Sequence, residues 1–140
     1  MPEGSKLIAS NRQAGFRYSL LEKFEAGMVL TGSEVKSLRN GNANIGDSYV
    51  VFKNDGLFLI NAHISPYGPA NRFNHEPLRS RKLLLHAEEI ERLLGKMKER
   101  GLALIPTRLY FKAGRAKCEI ALAKGKKMHD RRDALRKKTA

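Results

Sequence analysis

Two turn signals, each set between alternating apolar runs, limit what this chain can fold into more than any other feature. Tyr49-Val50-Val51-Phe52-Lys53 and Leu57-Phe58-Leu59-Ile60-Asn61-Ala62-His63-Ile64 flank Asn54-Asp55-Gly56. Likewise 102–112 and 116–123 flank Ala113-Gly114-Arg115. Such tripeptides supply the left-handed backbone of a tight hairpin, and alternation lays one face of each strand on a core. Shorter runs at Tyr18 to Phe24, Met28 to Thr31 and Arg81 to Leu85 read as further strands, the first two around a turn at Glu25-Ala26-Gly27. Pro106 has no N–H for a ladder and marks an edge or a bulge. The expected fold is mainly β: a small antiparallel OB-like barrel, since closure removes exposed strand edges.

Short helices punctuate the strands. Ser33 is placed to cap a helix over Glu34 to Arg39, stopped by Asn40-Gly41. A second runs from His86 or Ala87 to Arg100, with Ile90, Leu93, Leu94 and Met97 on one face and Gly101 as its C-cap. Its early Glu88, Glu89 and Glu91 and late Lys96, Lys98 and Arg100 suit the helix dipole. Residues 1–10 look frayed, 42–47 are loop, and Ser65 to Ser80 form a long loop. No internal repeat is visible.

The body ends on Cys118-Glu119-Ile120-Ala121-Leu122-Ala123, and a basic arm begins at once. From Lys124 to Ala140 eight Lys and Arg stand against Asp130 and Asp133, a net +6 of the chain's +13. The division expected is 1–123 as an RNA-binding barrel and 124–140 as a basic, disordered C-terminal tail that orders on contact with RNA. A solubilising tail is the plain alternative, but the body keeps +7 of its own.

Several function classes drop out. No apolar run approaches the ~18 residues needed to span a membrane, and the N-terminus does not read as a signal peptide. Cys118 is the single cysteine. It alternates with Ile120 and Leu122 as a core residue, it excludes an internal disulfide, and it suits a reducing, cytoplasmic setting. His63, His75, His86 and His129 have no metal-ligand spacing, and no phosphate-binding glycine loop or nucleophile elbow occurs. No cofactor, no metal and no catalytic residue are expected; the chain reads as a binder, not an enzyme.

Binding candidates are more numerous. Arg79-Ser80-Arg81-Lys82 places three cations at the start of a strand; Arg81 shares a face with Leu83 and Leu85 while Lys82 points the other way. Lys36 and Arg39 share one helix face. Glu25 is an acid on a turn in a basic protein; a carboxylate repels phosphate but accepts from the donor edge of an unstacked base. Tyr67, Arg72, Phe73 and His75 in the long loop could stack bases or pack the loop.

Four blocks together resemble the small protein B family: 24–39 (Phe24-Glu25-Ala26-Gly27 through Leu38-Arg39), Asp47-Ser48-Tyr49, Arg81-Lys82-Leu83-Leu84-Leu85-His86, and Lys124-Gly125-Lys126-Lys127-Met128-His129-Asp130-Arg131-Arg132. They occur in order and with consistent spacing from about Ile8 to Arg132. The resemblance implies an oligonucleotide-binding barrel that grips the tRNA-like domain of transfer-messenger RNA (tmRNA, SsrA RNA) and brings it to stalled ribosomes for trans-translation. By position, Asn11, Arg12, Glu25, Lys36, Arg39, Arg81, Lys82, Leu85 and His86 fall at the tmRNA contact. Gly125, Lys126, Lys127, His129, Asp130, Arg131 and Arg132 fall at the ribosome, where the tail meets the rRNA of the decoding centre and mRNA channel. The implied partners are tmRNA in a 1:1 complex with a monomer, the ribosome and, indirectly through aminoacylated tmRNA, elongation factor Tu. Two departures stand out: Gly15 and Phe16 lie where the family typically carries cations and a His, and Ala140 comes sooner after Arg132 than usual. A ribosomal-protein-like structural binder of rRNA is the alternative, since it too would be a basic barrel with a tail.

Overall fold

The computed structural model describes residues 4–54, 56–98 and 101–126. Its elements run β1 (Ser5–Ser10), α1 (Ala14–Arg17), β2 (Tyr18–Met28), α2 (Gly32–Arg39), β3 (Ala43–Asn44), β4 (Tyr49–Lys53), β5 (Gly56–Ile60), β6 (His63–Ile64), a 3-10 stretch at Gly68–Phe73, β7 (Arg81–Leu84), α3 (Ala87–Lys96), β8 (Leu102–Lys112) and β9 (Arg115–Gly125). The order β8-β4-β5-β7-β2-β9 returns to β8, so six antiparallel strands form a barrel-like ring, and β1 lies on the outer edge of β8. The seam is thin, for β4 meets β8 through the Val50–Leu104 pair alone. The mainly β architecture with short helices is as the alternating runs predict.

Inward alternation builds the core. Phe24 and Ala26 of β2, Leu57 and Leu59 of β5, Leu104 and Leu109 of β8, and Cys118, Ile120 and Leu122 of β9 are all buried. Burial pushes the Cys118 thiol up, so it stays a protonated core group. Leu93 of α3 and Leu38 of α2 enter the same core. Ala14 packs on Ile105, Ala121 and Ala123 to form a second cluster, which fixes α1 at the Tyr18 end of β2. Register shifts fall at Leu7/Ala9, Leu20/Glu22 and Pro106/Arg108 and bend the long strands around the ring. The shift at Pro106 is the bulge its missing N–H calls for.

Several local expectations are corrected. Residues 5–10 are not frayed: past the Pro106 bulge the outer edge of β8 is unpaired by β4, and β1 covers it. Glu25-Ala26-Gly27 is no turn. β2 continues through it, because Gly27 lies between Leu84 on one side and Lys117 on the other, and small residues mark a close approach of strands as readily as a turn. The run at 57–64 breaks at Asn61 (φ 62°), after which β6 pairs with β3 inside the expected 42–47 loop. The α2 cap is Thr31 rather than Ser33: Thr31 Oγ1 accepts from the Glu34 amide at 3.4 Å while Glu34 Oε1 accepts from the Thr31 amide at 2.8 Å. The Ala113-Gly114 turn has both residues at positive φ (51° and 75°), as a two-residue hairpin needs. α3 closes at Lys96, ahead of the expected Arg100, which lies outside the described residues.

Candidate nucleic-acid interface

One cleft of about 520 Å³ opens where β2 leaves the ring, between the α2 and α3 N-terminal ends and the β8–β9 hairpin. Glu25, Leu85 and His86, three of the sequence-predicted contacts, line it together. Met28, Leu30, Val35, Leu84 and Phe111 give it apolar walls, while Arg115 and Lys117 bring cations. His86 begins α3, with its backbone N–H donating to Glu89 Oε1 at 3.3 Å. Apolar walls take the face of a base or a ribose, cations take phosphate, and a fixed carboxylate takes a base edge.

Glu25 is held from both sides. The Tyr110 hydroxyl donates to its Oε2, and Lys112 Nζ approaches Oε1 at 3.2 Å. The hydrogen bond from Tyr110, helped by Lys112 and Lys117 and opposed by partial burial, keeps the carboxyl below its ordinary range. Tyr110 is only 2% exposed, and its hydroxyl is pushed up by burial and then by the Glu25 charge, so it remains a donor. Each Glu25 oxygen keeps a lone pair for a further donor. A second outward carboxylate, Glu119, sits opposite Glu25 on β9 but is occupied by Arg108 (2.6 Å), Thr107 (2.8 Å) and Lys23 (3.5 Å).

Arg81 is corrected: it does not face solvent. Its side chain is fully buried; Nε donates to Glu34 Oε2 at 2.6 Å, Nη1 to the Ala62 carbonyl at 2.5 Å and Nη2 to the Pro77 carbonyl at 3.0 Å. Arg79 donates to Glu34 Oε1 at 2.5 Å. Burial would raise the Glu34 carboxyl, but Arg79, the Thr31 amide and Arg81 outweigh it and bring it to about 2. The pair thereby locks α2 onto β7. His75 is likewise internal: Ser33 Oγ lies 2.8 Å from Nδ1 and the Ile64 carbonyl 2.8 Å from Nε2, so Nε2 carries a proton and donates to that carbonyl.

The remaining residues spread over two sides. Lys82 is exposed on β7 and Arg39 at the end of α2, and Lys36 Nζ lies 5.6 Å from the centre of the Tyr67 ring. Asn11 and Arg12 are not at the cleft. Asn11 Nδ2 donates to the Pro106 carbonyl at 3.0 Å, and Asn11 lines a separate small cavity beside α1 with Arg17, Tyr18 and Asp47. The tail leaves at this α1 end: Gly125 pairs with Tyr18, the Lys126 amide donates to the Arg17 carbonyl at 3.1 Å, and Lys126 Nζ to the Gly15 carbonyl at 2.8 Å. β9 thus runs two residues past the expected boundary at Ala123. Lys127, His129, Asp130, Arg131 and Arg132 lie outside the described residues.

Tyr110, Lys112, Arg115 and Lys117 are functional candidates that sequence reasoning missed. Tyr110 meets Glu25 from 85 positions away, and no local pattern records that contact. Outward alternation of Arg115 and Lys117 beside the hairpin was the one available signal. Among the described residues no group of three or more His, Cys, Asp or Glu could hold a metal ion.

The family model described as SmpB protein matches residues 8–140. The SsrA-binding protein of Desulforudis audaxviator (strain MP104C) is 58% identical over 138 residues, covering 99% of this chain and 90% of that protein. The SsrA-binding protein of Sulfurihydrogenibium sp. (strain YO3AOP1) is 54% identical over 133 residues, covering 95% and 88%. A chain from a solved structure described as "tmRNA-SmpB: a journey to the center of the bacterial ribosome" is 42% identical, with a TM-score of 0.71 over 91% of this chain and 94% of that one.

Proposed function

This chain belongs to the SmpB protein family, and from that premise we propose that it binds the tRNA-like domain of tmRNA and delivers it to stalled ribosomes. The observation that carries the reading is the Glu25 cleft: an ionised carboxylate, fixed by Tyr110 and Lys112, inside walls that also present Arg115, Lys117, His86 and a second carboxylate, Glu89. That combination suits an RNA fold with unstacked bases, where phosphates supply affinity and a base edge supplies choice. The tail root lies at the far end of β2, so a tail reaching the decoding centre leaves the cleft free for tmRNA. In this reading Glu25, Leu85 and His86 contact tmRNA, with Lys36, Arg39 and Lys82 as phosphate contacts. Asn11 and Arg12 extend the contact at the α1 end, and 125–132 act at the ribosome. Arg81 holds the surface together from beneath.

The protein acts without catalysis, as a cytoplasmic monomer, 1:1 with tmRNA, and meets elongation factor Tu only through aminoacylated tmRNA. The relatives' name, SsrA-binding protein, and the solved tmRNA-SmpB structure support the tmRNA and ribosome parts of this reading. Sequencing the RNA that co-purifies with the protein from a bacterial lysate tests it. Enrichment of tmRNA over total RNA is the expected result; recovery of rRNA alone would favour a structural rRNA binder instead.

A further inference from the structure

We propose that the loop carrying Phe73 is a second RNA site, a stacking platform for one unpaired nucleobase, set apart from the Glu25 cleft. Phe73 is 75% exposed, more than any other large hydrophobic side chain among the described residues. Exposure here comes from a fixed frame. Asn74 Oδ1 accepts from the Tyr67 amide at 2.8 Å while its Nδ2 donates to the Tyr67 carbonyl at 2.7 Å, which closes the 3-10 stretch into a ring. The adjoining His75 is bolted between Ser33 of α2 and the Ile64 carbonyl. Inside the ring Asn71 holds φ at 48°, a conformation costly for a non-glycine residue, and the chain turns there immediately before Arg72 and Phe73.

Cations surround the aromatic rings. The Arg72 guanidinium lies 4.9 Å from the centre of the Phe73 ring, and Lys36 Nζ 5.6 Å from that of Tyr67, to which the loop is clamped. A single exposed aromatic is ordinary on a protein surface. An exposed aromatic with a guanidinium 4.9 Å from its ring centre, a second cation–aromatic pair between Lys36 and Tyr67 at the loop's start, and a net charge of +13 on the chain are complementary to a stacked base with its phosphates. Base faces are alike, so the platform takes unpaired bases with little sequence preference, whereas the Glu25 cleft reads an edge. The inference rests on the reading of this chain as an RNA binder but not on Glu25.

The chain contains no Trp, so Phe73→Trp in the full-length protein makes a unique reporter. The probes are a short single-stranded oligoadenylate and a blunt RNA duplex of equal length. Tryptophan emission should be quenched by the oligoadenylate along its binding isotherm and left unchanged by the duplex. Phe73→Ala should weaken oligoadenylate binding roughly ten-fold with an unshifted melting temperature, and Glu25→Gln should leave the quenching intact. Absence of quenching at saturating oligoadenylate, equal quenching by the duplex, or undiminished binding by Phe73→Ala would each overturn the platform. Should Glu25→Gln keep full tmRNA selectivity while the quenching persists, the cleft reading fails and the platform stands.

Discussion

Tyr110 and Glu25 meet across β9: the hydroxyl of a side chain at 2% exposure donates to a carboxylate on the outer face of β2. The phenol is fixed by its packing, so it sets the direction in which the carboxylate presents its remaining lone pairs. Tyr110→Phe keeps the ring and removes the donor. Affinity for the tRNA-like domain of tmRNA should fall by about three- to ten-fold, in line with one net hydrogen bond of about 1 kcal/mol. Binding to random RNA should not change. Gel-shift titrations against both RNAs at one salt concentration check this, and equal loss on both would mean that Tyr110 only packs.

Removing the carboxylate charge should cost more. Glu25→Gln keeps the shape but loses a charge-assisted acceptor, for a loss of roughly 1–3 kcal/mol against the tRNA-like domain. Lys117→Ala in the same cleft should act differently, weakening binding to all RNAs and flattening the salt dependence by the share of one phosphate contact. Titration of both variants over a salt series separates the roles; a Glu25→Gln loss shared equally by random RNA would remove Glu25 as a specificity contact.

The contrast between Glu25 and Arg81 shows what was legible in the sequence. Alternation correctly put Arg81 on the face of Leu83, which the ring buries, yet a cation in a basic cluster still read as a surface contact. What inverted that reading was Glu34, 47 positions upstream, which meets Arg81 at 2.6 Å. The β4–β5 and β8–β9 hairpins, the Pro106 bulge, the Leu93 helix and the core role of Cys118 were all local signals and could be read directly. The edge role of β1, the break at Asn61 and the continuity of β2 through Gly27 depend on which strand lies alongside, and pairing partners are not written in a strand's own residues. The resemblance brought Glu25, Leu85 and His86 into one expected site; only the folded chain separates them from Asn11 and Arg12.

Acid should reveal the Glu34 network. Its carboxyl falls from an ordinary 4.5 to about 2 in the folded state. A depressed carboxylate contributes stability that is fully present above about pH 5 and is lost as pH falls toward 2, because the unfolded chain takes up the proton first. Urea midpoints should therefore decline across that window. Glu34→Gln should flatten the decline and cost about 3–5 kcal/mol at neutral pH, because it leaves the Arg81 guanidinium buried without a counter-charge. An unchanged acid limb in Glu34→Gln would assign the decline to other carboxylates.

Where the chain is cut decides whether the body or the tail is tested. Ending it after Ala123 removes the Lys124 pairs with Ser19 and Leu102, the Gly125 pair with Tyr18, and both Lys126 bonds to the α1 segment. That cut should lower the melting temperature, because the α1 end of the ring loses part of its ladder, and any loss of RNA binding would then be ambiguous. Ending it after Lys126 keeps every one of those bonds and removes only 127–140, with six Lys and Arg against two Asp. The melting temperature should stay unchanged, and the tRNA-like domain should still be preferred over random RNA, with a uniform weakening from lost phosphate attraction. Peptide tagging on stalled ribosomes should be lost. Asp130→Ala/Arg131→Ala/Arg132→Ala in the full chain should reproduce the tagging loss with RNA affinity nearly intact. Calorimetry, gel shift and a tagging assay on the same three proteins check the set. Collapse of tmRNA preference in the chain ending at Lys126 would move the specific grip into the tail, and wild-type tagging by the triple variant would remove that triplet from ribosome function.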